Sequence, residues 1–186
     1  MSTEILRVAD RVDVPWRNGA GVTSEILVSP GDGDFDWRLS IATVDSDAPF
    51  STFGGVDRCL LALSEQGLDL VDAGRLVRLG AFESHTFAGE NEVASFGVTR
   101  PTLDLNLMTR RDRCSGTLES YPVAGSCSVA AGPGESVVVV IVGGSFTLGG
   151  QPLAMFDAVR LDEVDTAAPV PLHGVGQLAV ARVERR

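Results

Sequence analysis

The stretch Asp104-Leu-Asn-Leu-Met-Thr-Arg-Arg111 decides how the rest of this sequence is interpreted. With the two-residue period of a β-strand, one face carries only leucines, at Leu103, Leu105 and Leu107. The other face carries an acid, an amide, a thioether and a guanidinium, from Asp104, Asn106, Met108 and Arg110. Such a row needs either bulk water or a polar cavity. The pattern therefore predicts a solvent-facing edge strand or, alternatively, a strand that lines a binding site.

Length and composition indicate a folded globular protein. The chain has 186 residues, of which 44% are hydrophobic and 22% charged, which suffices for one large domain or two small ones. The longest apolar run, Val137–Val142, is too short to span a bilayer and predicts a buried strand. The first residues lack the basic and apolar regions of a secretory signal, so we expect a cytoplasmic protein. The three cysteines have no CxxC spacing, which favours reduced thiols over disulfides or a zinc site.

The charge of the chain restricts its partners. The formal net charge is −10, and every basic residue is arginine, because lysine is absent. Without lysine, neither a P-loop nor Schiff-base chemistry is available. The negative charge makes nucleic acid and anionic membrane surfaces poor partners. A small carboxylate can be held only where arginines gather, since charges beyond about 8 to 10 Å are screened at physiological salt.

Short apolar or alternating segments separated by Gly, Asn and Asp turns run through the whole chain, and none has helical periodicity over ten residues. In the loop 45–57, Phe50 and Phe53 are expected to anchor the loop to the core, with a ligand lid as the alternative. From Ser126 onward, the order of strands and Gly turns resembles that of residues 58–106, which indicates a diverged internal repeat. Residues 114–122 are predicted to connect the two units.

We therefore predict an all-β protein of antiparallel sandwich or barrel type, with one barrel in residues 1–115 and a second in residues 116–186.

Four segments, in chain order, resemble the HutD/Ves family. They are Pro15–Gly19 with Gly21, Thr23 and Glu25; Trp37–Ser40 with Ala42; Pro49–Ser51 with 53–55 and Arg58; and Asp104–Arg111. The resemblance covers nearly the first 115 residues, whereas the C-terminal half matches only in its general cupin-like pattern. Two positions depart from the family pattern: Arg17 replaces a usual lysine, and Ala20 replaces a glycine. Ala20 is expected to narrow the space for backbone approach to a ligand.

The resemblance implies a bicupin, with two antiparallel jelly-roll barrels in one chain. It also implies an association with bacterial histidine utilisation, in a small-molecule-binding or regulatory role and not as a pathway enzyme. The ligands implied are pathway acids such as formylglutamate or urocanate.

Three arginines suggest an anion site, because each lies on or at the end of a predicted strand among polar or small groups: Arg38, Arg58 and Arg110. Arginine binds a carboxylate through two parallel hydrogen bonds, a geometry that lysine cannot copy. The alternative for each arginine is a surface salt bridge that contributes about 0 to 1 kcal/mol. Arg58 is the expected carboxylate anchor, and Trp16 the expected apolar wall.

Other polar residues complete the predicted site. Asn18 and Asn106 suit an amide or formyl group, whereas Asp104 and Glu25 could orient the arginines or accept a ligand N–H. The full set of predicted ligand-binding residues is Trp16, Asn18, Gly19, Glu25, Arg38, Ser40, Arg58, His85, Asp104, Asn106 and Arg110.

Metal and catalytic chemistry have little support in the sequence. A metal-dependent cupin needs roughly three His and one acid in one barrel, whereas this chain has only His85 and His173, so no metal or cofactor is expected. His85 is either a pocket base or a simply hydrogen-bonded residue. No GxSxG motif supports a serine hydrolase. Cys59 follows Arg58 in a strand, so it faces the opposite side and is expected to be buried.

The sequence therefore predicts a metal-free protein that binds a small carboxylate through its N-terminal barrel. We expect it to act as a regulator or as a sequestering protein in histidine catabolism. The first alternative is a metal-independent cupin enzyme (an isomerase, epimerase or hydrolase) in which His85 or an acid transfers a proton. The second is an interaction protein with a vestigial pocket. Turnover would identify the former, and partner-dependent binding the latter. A homodimer remains open.

Overall fold

A computed structural model describes residues 3–16, 19–31, 34–161 and 168–186. These residues form an all-β protein, as predicted, with one short 3-10 turn at Val8–Asp10 and no α-helix in the described ranges. The strands are β1 (Glu4–Leu6), β2 (Asp13–Pro15), β3 (Gly21–Ser29), β4 (Trp37–Val44), β5 (Val56–Ala62), β6 (Leu68–Asp72), β7 (Arg75–Leu79), β8 (Ser84–Ala88), β9 (Val93–Ser95), β10 (Thr102–Arg110), β11 (Cys114–Val129), β12 (Glu135–Leu148), β13 (Gln151–Leu153), β14 (Ala158–Leu161) and β15 (Val170–Arg185). Within the same ranges, no helix is long and apolar enough to cross a membrane.

The strands form three sheets. One six-stranded sheet has the order β2-β3-β4-β10-β5-β8, and a three-stranded sheet has the order β7-β6-β9. The third sheet has the order β1-β14-β12-β15-β11, with β13 also paired to β12. β10, the strand of the opening stretch, lies between β4 and β5 and pairs antiparallel with both. It is therefore a central strand, and not the solvent-facing edge strand that the sequence pattern left open.

The chain divides into two compact units. The N-terminal unit comprises residues 12–115 with Arg186, and the C-terminal unit comprises residues 116–185 together with the segment that ends at Arg11. The sequence boundary had placed that first segment in the N-terminal unit. Its strand β1 instead pairs with β14, and the Asp157 carboxylate accepts hydrogen bonds from the Val8 backbone and the Arg7 side chain. Residues 114–122, predicted as a connection, form the first part of β11.

The two units repeat one pairing scheme, in agreement with the predicted internal repeat. The order β8-β5-β10-β4 in the N-terminal unit matches β14-β12-β15-β11 in the C-terminal unit. The same turn also recurs. The Phe82 N–H donates to the Ala62 carbonyl and the Phe156 N–H to the Ile141 carbonyl, at 2.7 Å in each case. Both phenylalanines have a positive φ, which is uncommon outside glycine. Ala62 and Ile141 are therefore equivalent positions.

Each unit has its own apolar core. In the C-terminal unit, the core runs along the central strands and includes Val137, Val139, Ile141, Leu178 and Val180. In the N-terminal unit, the core forms where the three-stranded sheet packs on β5 and β8, and it includes Leu60, Ala62, Leu70, Leu79 and Phe87.

Candidate functional site

The polar face of β10 is set by its register with both neighbouring strands. Residues directly opposite each other in an antiparallel pair point to the same face of the sheet. Asp104 lies opposite Ala42 and Ala62, Asn106 opposite Ser40 and Leu60, and Met108 opposite Arg38 and Arg58. We call the five polar residues of this set the polar face: Arg38, Ser40, Arg58, Asp104 and Asn106. It shares its side of the sheet with Leu60 and Ala62, which pack against the three-stranded sheet.

Three residues of the polar face combine burial with unpaired atoms. Asp104 is 1% exposed, Arg58 6% and Asn106 8%. The Oδ1 atoms of Asp104 and Asn106 and the Nε atoms of Arg58 and Arg38 are buried without a hydrogen-bond partner. Among the described residues only Arg11 adds further atoms of this kind. Each such atom costs about 1 to 3 kcal/mol when no partner satisfies it, and four of the six atoms of this kind among the described residues lie on the polar face.

Arg58 is held among aromatic rings. Its guanidinium carbon lies 5.0 Å from the ring centre of Phe87, 5.5 Å from that of Phe50 and 5.8 Å from that of Phe53, all within cation–π range. Its Nη1 donates to the Ser51 carbonyl at 3.2 Å. The rings fix the direction of the side chain while the Nε stays unpaired.

The same contacts anchor the loop between β4 and β5. The backbone N–H of Phe50 donates to the Val93 carbonyl, and that of Phe53 to the Gly89 carbonyl. Phe50 also packs against the core of the N-terminal unit. The expectation that the loop is anchored to the core is therefore confirmed for Phe50, whereas Phe53 holds the loop through its backbone N–H.

Burial shifts the pKa of both deeply placed charges. Desolvation lowers the pKa of Arg58 to about 10; the Asp104 charge opposes this shift and the Arg38 charge adds to it. Desolvation raises the pKa of Asp104 to about 7, against the attraction of Arg58. Near neutral pH, the polar face thus holds a charged arginine and an acid that is poised between its two protonation states.

Arg38 and Glu25 form the more exposed part of the site. Glu25 lies opposite Ser40 at a β-bulge in β3, so its side chain faces the same side as the polar face. Arg38 Nε lies 3.1 Å from Glu25 Oε2, with side-chain exposures of 27% and 48%. The distance is that of an ion pair, but its angles do not make a hydrogen bond, since the Nε is unsatisfied.

Trp16 lies beside this side of the sheet. Its indole N–H donates to the Thr23 hydroxyl at 2.8 Å, and its ring meets Phe50 edge-on at 5.8 Å. A Cβ at Gly21 would lie 2.3 Å from the Thr43 carbonyl and 3.2 Å from the Trp16 ring, so glycine is required there. Gly19 is an exposed turn residue with φ +72°. Asn18, also predicted for the site, lies outside the described residues, as does Arg17.

Two predicted residues are engaged elsewhere. Arg110 lies at the end of β10, where it pairs with Asp34, donates to the Phe35 carbonyl and stacks on the Phe35 ring. His85 Nε2 lies 2.8 Å from Asp72 Oδ2, and the other oxygen of Asp72 accepts from Asn91. His85 thus links β8 to the three-stranded sheet. The structure does not bring Arg110 together with Arg58 and Asp104.

Two features of the site were not predicted from the sequence: the aromatic rings around Arg58 and the position of Met108 between the two arginines. Phe87 lies directly opposite Arg58 across β5 and β8. Neither feature has a local signal, because the register between distant strands is not encoded in either strand alone. Within the described ranges, no three His, Cys, Asp or Glu side chains are grouped so that they could hold a metal ion.

Comparison with known proteins gives one consistent family. Residues 8–180 match the family model described as HutD. An uncharacterised 21.2 kDa protein from the hutC 3′ region of Pseudomonas putida is 32% identical over 181 residues, or 92% of this chain and 93% of that protein. Protein Ves of Cronobacter sakazakii is 45% identical over 101 residues, and this match spans 53% of the chain and 56% of the Ves protein.

Solved structures agree over the whole chain. HutD from Pseudomonas fluorescens SBW25 is 27% identical and superposes with a TM-score of 0.84, with 100% of both chains covered. A cupin 2 conserved barrel domain protein from Leptotrichia buccalis, only 10% identical, reaches a TM-score of 0.56 and shows likeness of fold alone. From the family match over most of its length and the full-length relatives, this chain belongs to the HutD/Ves family, which has a cupin-like fold.

Proposed function

We propose that the N-terminal unit binds a small carboxylate at the polar face and that the protein acts as a regulatory or sequestering component of histidine utilisation. Membership of the HutD family associates the chain with histidine utilisation. The proposed ligands are pathway acids of the formylglutamate or urocanate type. Each unit is proposed to be one barrel of a bicupin, with the ligand in the N-terminal barrel.

The observation that carries this proposal is the set of buried atoms without partners on the polar face. Arg58 and Arg38 offer donors that suit a carboxylate. Asp104 and Asn106 offer unpaired acceptors, which suit a ligand N–H. Successive rows of one strand face lie about 6 to 7 Å apart, so donors and acceptors are separated by the length of a small molecule. An acid that also carries an amide or imidazole N–H would satisfy both sets.

Thermal-shift titration tests the proposal with histidine, urocanate, formiminoglutamate, formylglutamate and glutamate. A ligand at about 100 times its Kd adds about 2.7 kcal/mol of stability, or roughly 5 to 10 °C in Tm for a chain of this size. We expect at least one acid to raise the Tm of the native protein and to have no effect on Arg58→Ala.

The matched control is Arg182→Ala in the C-terminal unit. Arg182 lies opposite Val137 and is paired with Glu135, so its loss removes an equal charge from the other unit of the repeat. The response to acids should survive in this variant. If Arg58→Ala responds like the native protein, or if none of the five acids shifts the native protein, the proposed function is wrong.

One observation favours a second function, that of a metal-independent enzyme. The Asp104 pKa of about 7 is suited to proton transfer at neutral pH, and the buried carboxyl has an unpaired oxygen, Oδ1. His85 is a poorer proton-transfer group, because Asp72 already occupies its Nε2. Incubating each acid with the protein and following the acid by NMR separates the two functions. Product formation that is lost in Asp104→Asn would favour the enzyme.

A further inference from the structure

Two arginines lie on the polar face of the N-terminal unit, and of these two only Arg38 is within ion-pair distance of a described carboxylate, that of Glu25. Arg38 and Arg58 lie on either side of Met108, on β4 and β5. Because adjacent strands are about 4.8 Å apart, their Cα atoms are separated by about 9 to 10 Å. Their mutual repulsion contributes to the lowered pKa of Arg58. The two guanidiniums can therefore respond to the same anion.

The β-bulge in β3 determines what Arg38 meets. Glu25 lies opposite Ser40, Leu27 opposite Leu39 and Val28 opposite Arg38, so β3 uses one extra residue over this span. Bulges re-aim side chains in this way. The bulge leaves Glu25 on the side of the polar face, next to Arg38 along the sheet. Arg58, in contrast, meets a backbone carbonyl and three rings.

The Glu25–Arg38 pair has the features of a replaceable contact. Both side chains retain access to solvent, at 48% and 27%, so water screens their attraction. Arg38 Nε stays without a hydrogen bond although it is only 3.1 Å from the Glu25 carboxylate. A pair with these features loses little when another carboxylate takes the place of Glu25.

From this arrangement we infer that Glu25 is a competing carboxylate, which occupies Arg38 when the site is empty and is displaced from it by an acidic ligand. This inference rests on the proposed function. Glu25 thereby weakens the binding of acids that use Arg38, and it weakens least the binding of acids that use Arg58 alone. It would be a specificity-determining residue that is not required to contact the ligand.

The test is isothermal titration of urocanate, with one carboxylate, and formylglutamate, with two, into the native protein and Glu25→Gln. The substitution keeps size and removes the charge. We expect the affinity for formylglutamate to rise about tenfold and that for urocanate to rise less. The control is Glu65→Gln, which removes the same charge from an exposed turn and should change neither affinity. In an Arg38→Gln background, the gain from Glu25→Gln should disappear.

A fall in affinity in Glu25→Gln would overturn the inference, because it would mean that Glu25 positions Arg38 for the ligand. An unchanged affinity would overturn it equally. In both cases the proposed function stands if Arg58→Ala still abolishes binding. Absence of binding by the native protein and by Glu25→Gln alike would overturn the inference and the proposed function together.

Discussion

The two units share one order of strand pairing, but several equivalent positions are polar in the N-terminal unit and apolar in the C-terminal unit. Since Ala62 is equivalent to Ile141, Leu60 is equivalent to Val139 and Arg58 to Val137. On the neighbouring strand, Asp104 is equivalent to Leu178 and Asn106 to Val180.

In the C-terminal unit the residues at these positions belong to the apolar core, whereas in the N-terminal unit three of the positions hold an arginine, an acid and an amide. The C-terminal unit forms the same turn and strand order with apolar residues at these positions. The proposed binding of a carboxylate rests on the polar groups that the N-terminal unit carries at these positions.

The strongest test of this difference between the units is to place asparagine at the equivalent positions 178 and 104. Leu178 is almost fully buried in the apolar core, so Leu178→Asn should destabilise the protein by about 5 kcal/mol through lost packing and an unpaired amide. Asp104→Asn should destabilise it far less, because that position already accepts a polar group. Urea unfolding of both variants measures the difference. Equal losses would contradict the distinction between the two interiors.

The pH dependence of stability should reveal the Asp104 proton. The native protein holds this proton more tightly than the unfolded chain, whose carboxyl has a pKa near 3.8. The protonated Asp104 carboxyl therefore makes its full contribution to the free energy of unfolding below about pH 4. This contribution is lost as the pH rises to about 7. At one pKa unit per about 1.4 kcal/mol, the loss is at most about 4 kcal/mol.

Asp104→Asn removes this titration. Relative to the native protein, it should therefore gain stability between pH 4.5 and pH 8, as measured by urea unfolding at both values. The same change of stability with pH in both proteins would show that Asp104 does not titrate in this range.

The next largest expected effect is the loss of acid affinity on substitution of Arg58. Arg58→Gln removes the charge but retains a hydrogen-bonding group, and a lost charged hydrogen bond is worth about 2 to 3 kcal/mol, or about 30- to 150-fold in Kd. Arg182→Gln, which makes the same substitution in the C-terminal unit, is the control and should leave the Kd unchanged. Isothermal titration with the acid identified by thermal shift measures both. Equal effects of the two substitutions would place the ligand elsewhere.

His85 should give the smallest effect. Because His85 forms a hydrogen bond with Asp72, His85→Phe should lower the free energy of unfolding by about 1 to 2 kcal/mol. The Kd for the acid should stay within about twofold of the native value. His173→Ala should change neither quantity, since His173 is exposed in the C-terminal unit. Urea unfolding and titration of both variants provide the measurements. A large loss of affinity without loss of stability in His85→Phe would restore His85 as a residue of the binding site.

Local sequence patterns predicted the faces of the strands but not their neighbours. Alternation along β10 separated Asp104 and Asn106 from the leucines, and the same argument put Arg58 and Cys59 on opposite faces. The Gly turns and apolar runs indicated an all-β repeat. These predictions succeeded because a period of two needs only a few consecutive residues.

The remaining features depend on register between strands that are far apart in sequence. The Phe87 ring reaches Arg58 only because β8 pairs with β5 in one particular register. The alternation along β10 puts Arg110 on the same face as Asp104. However, Arg110 is the last residue of β10, where it forms an ion pair with Asp34. Burial and unpaired atoms likewise became visible only after the sheets were assembled, since the sequence shows polarity but not solvent access.

The most direct test of ligand binding at the polar face is to give the N-terminal unit the apolar pattern of its repeat. The variant carries Arg58→Met, Asp104→Leu and Asn106→Val, and urea unfolding checks that it folds cooperatively. Isothermal titration with formylglutamate and urocanate is then compared between this variant and the native protein. We predict saturable binding of at least one acid to the native protein and none to the folded variant. Binding of the same acid with unchanged affinity in the variant would contradict the account.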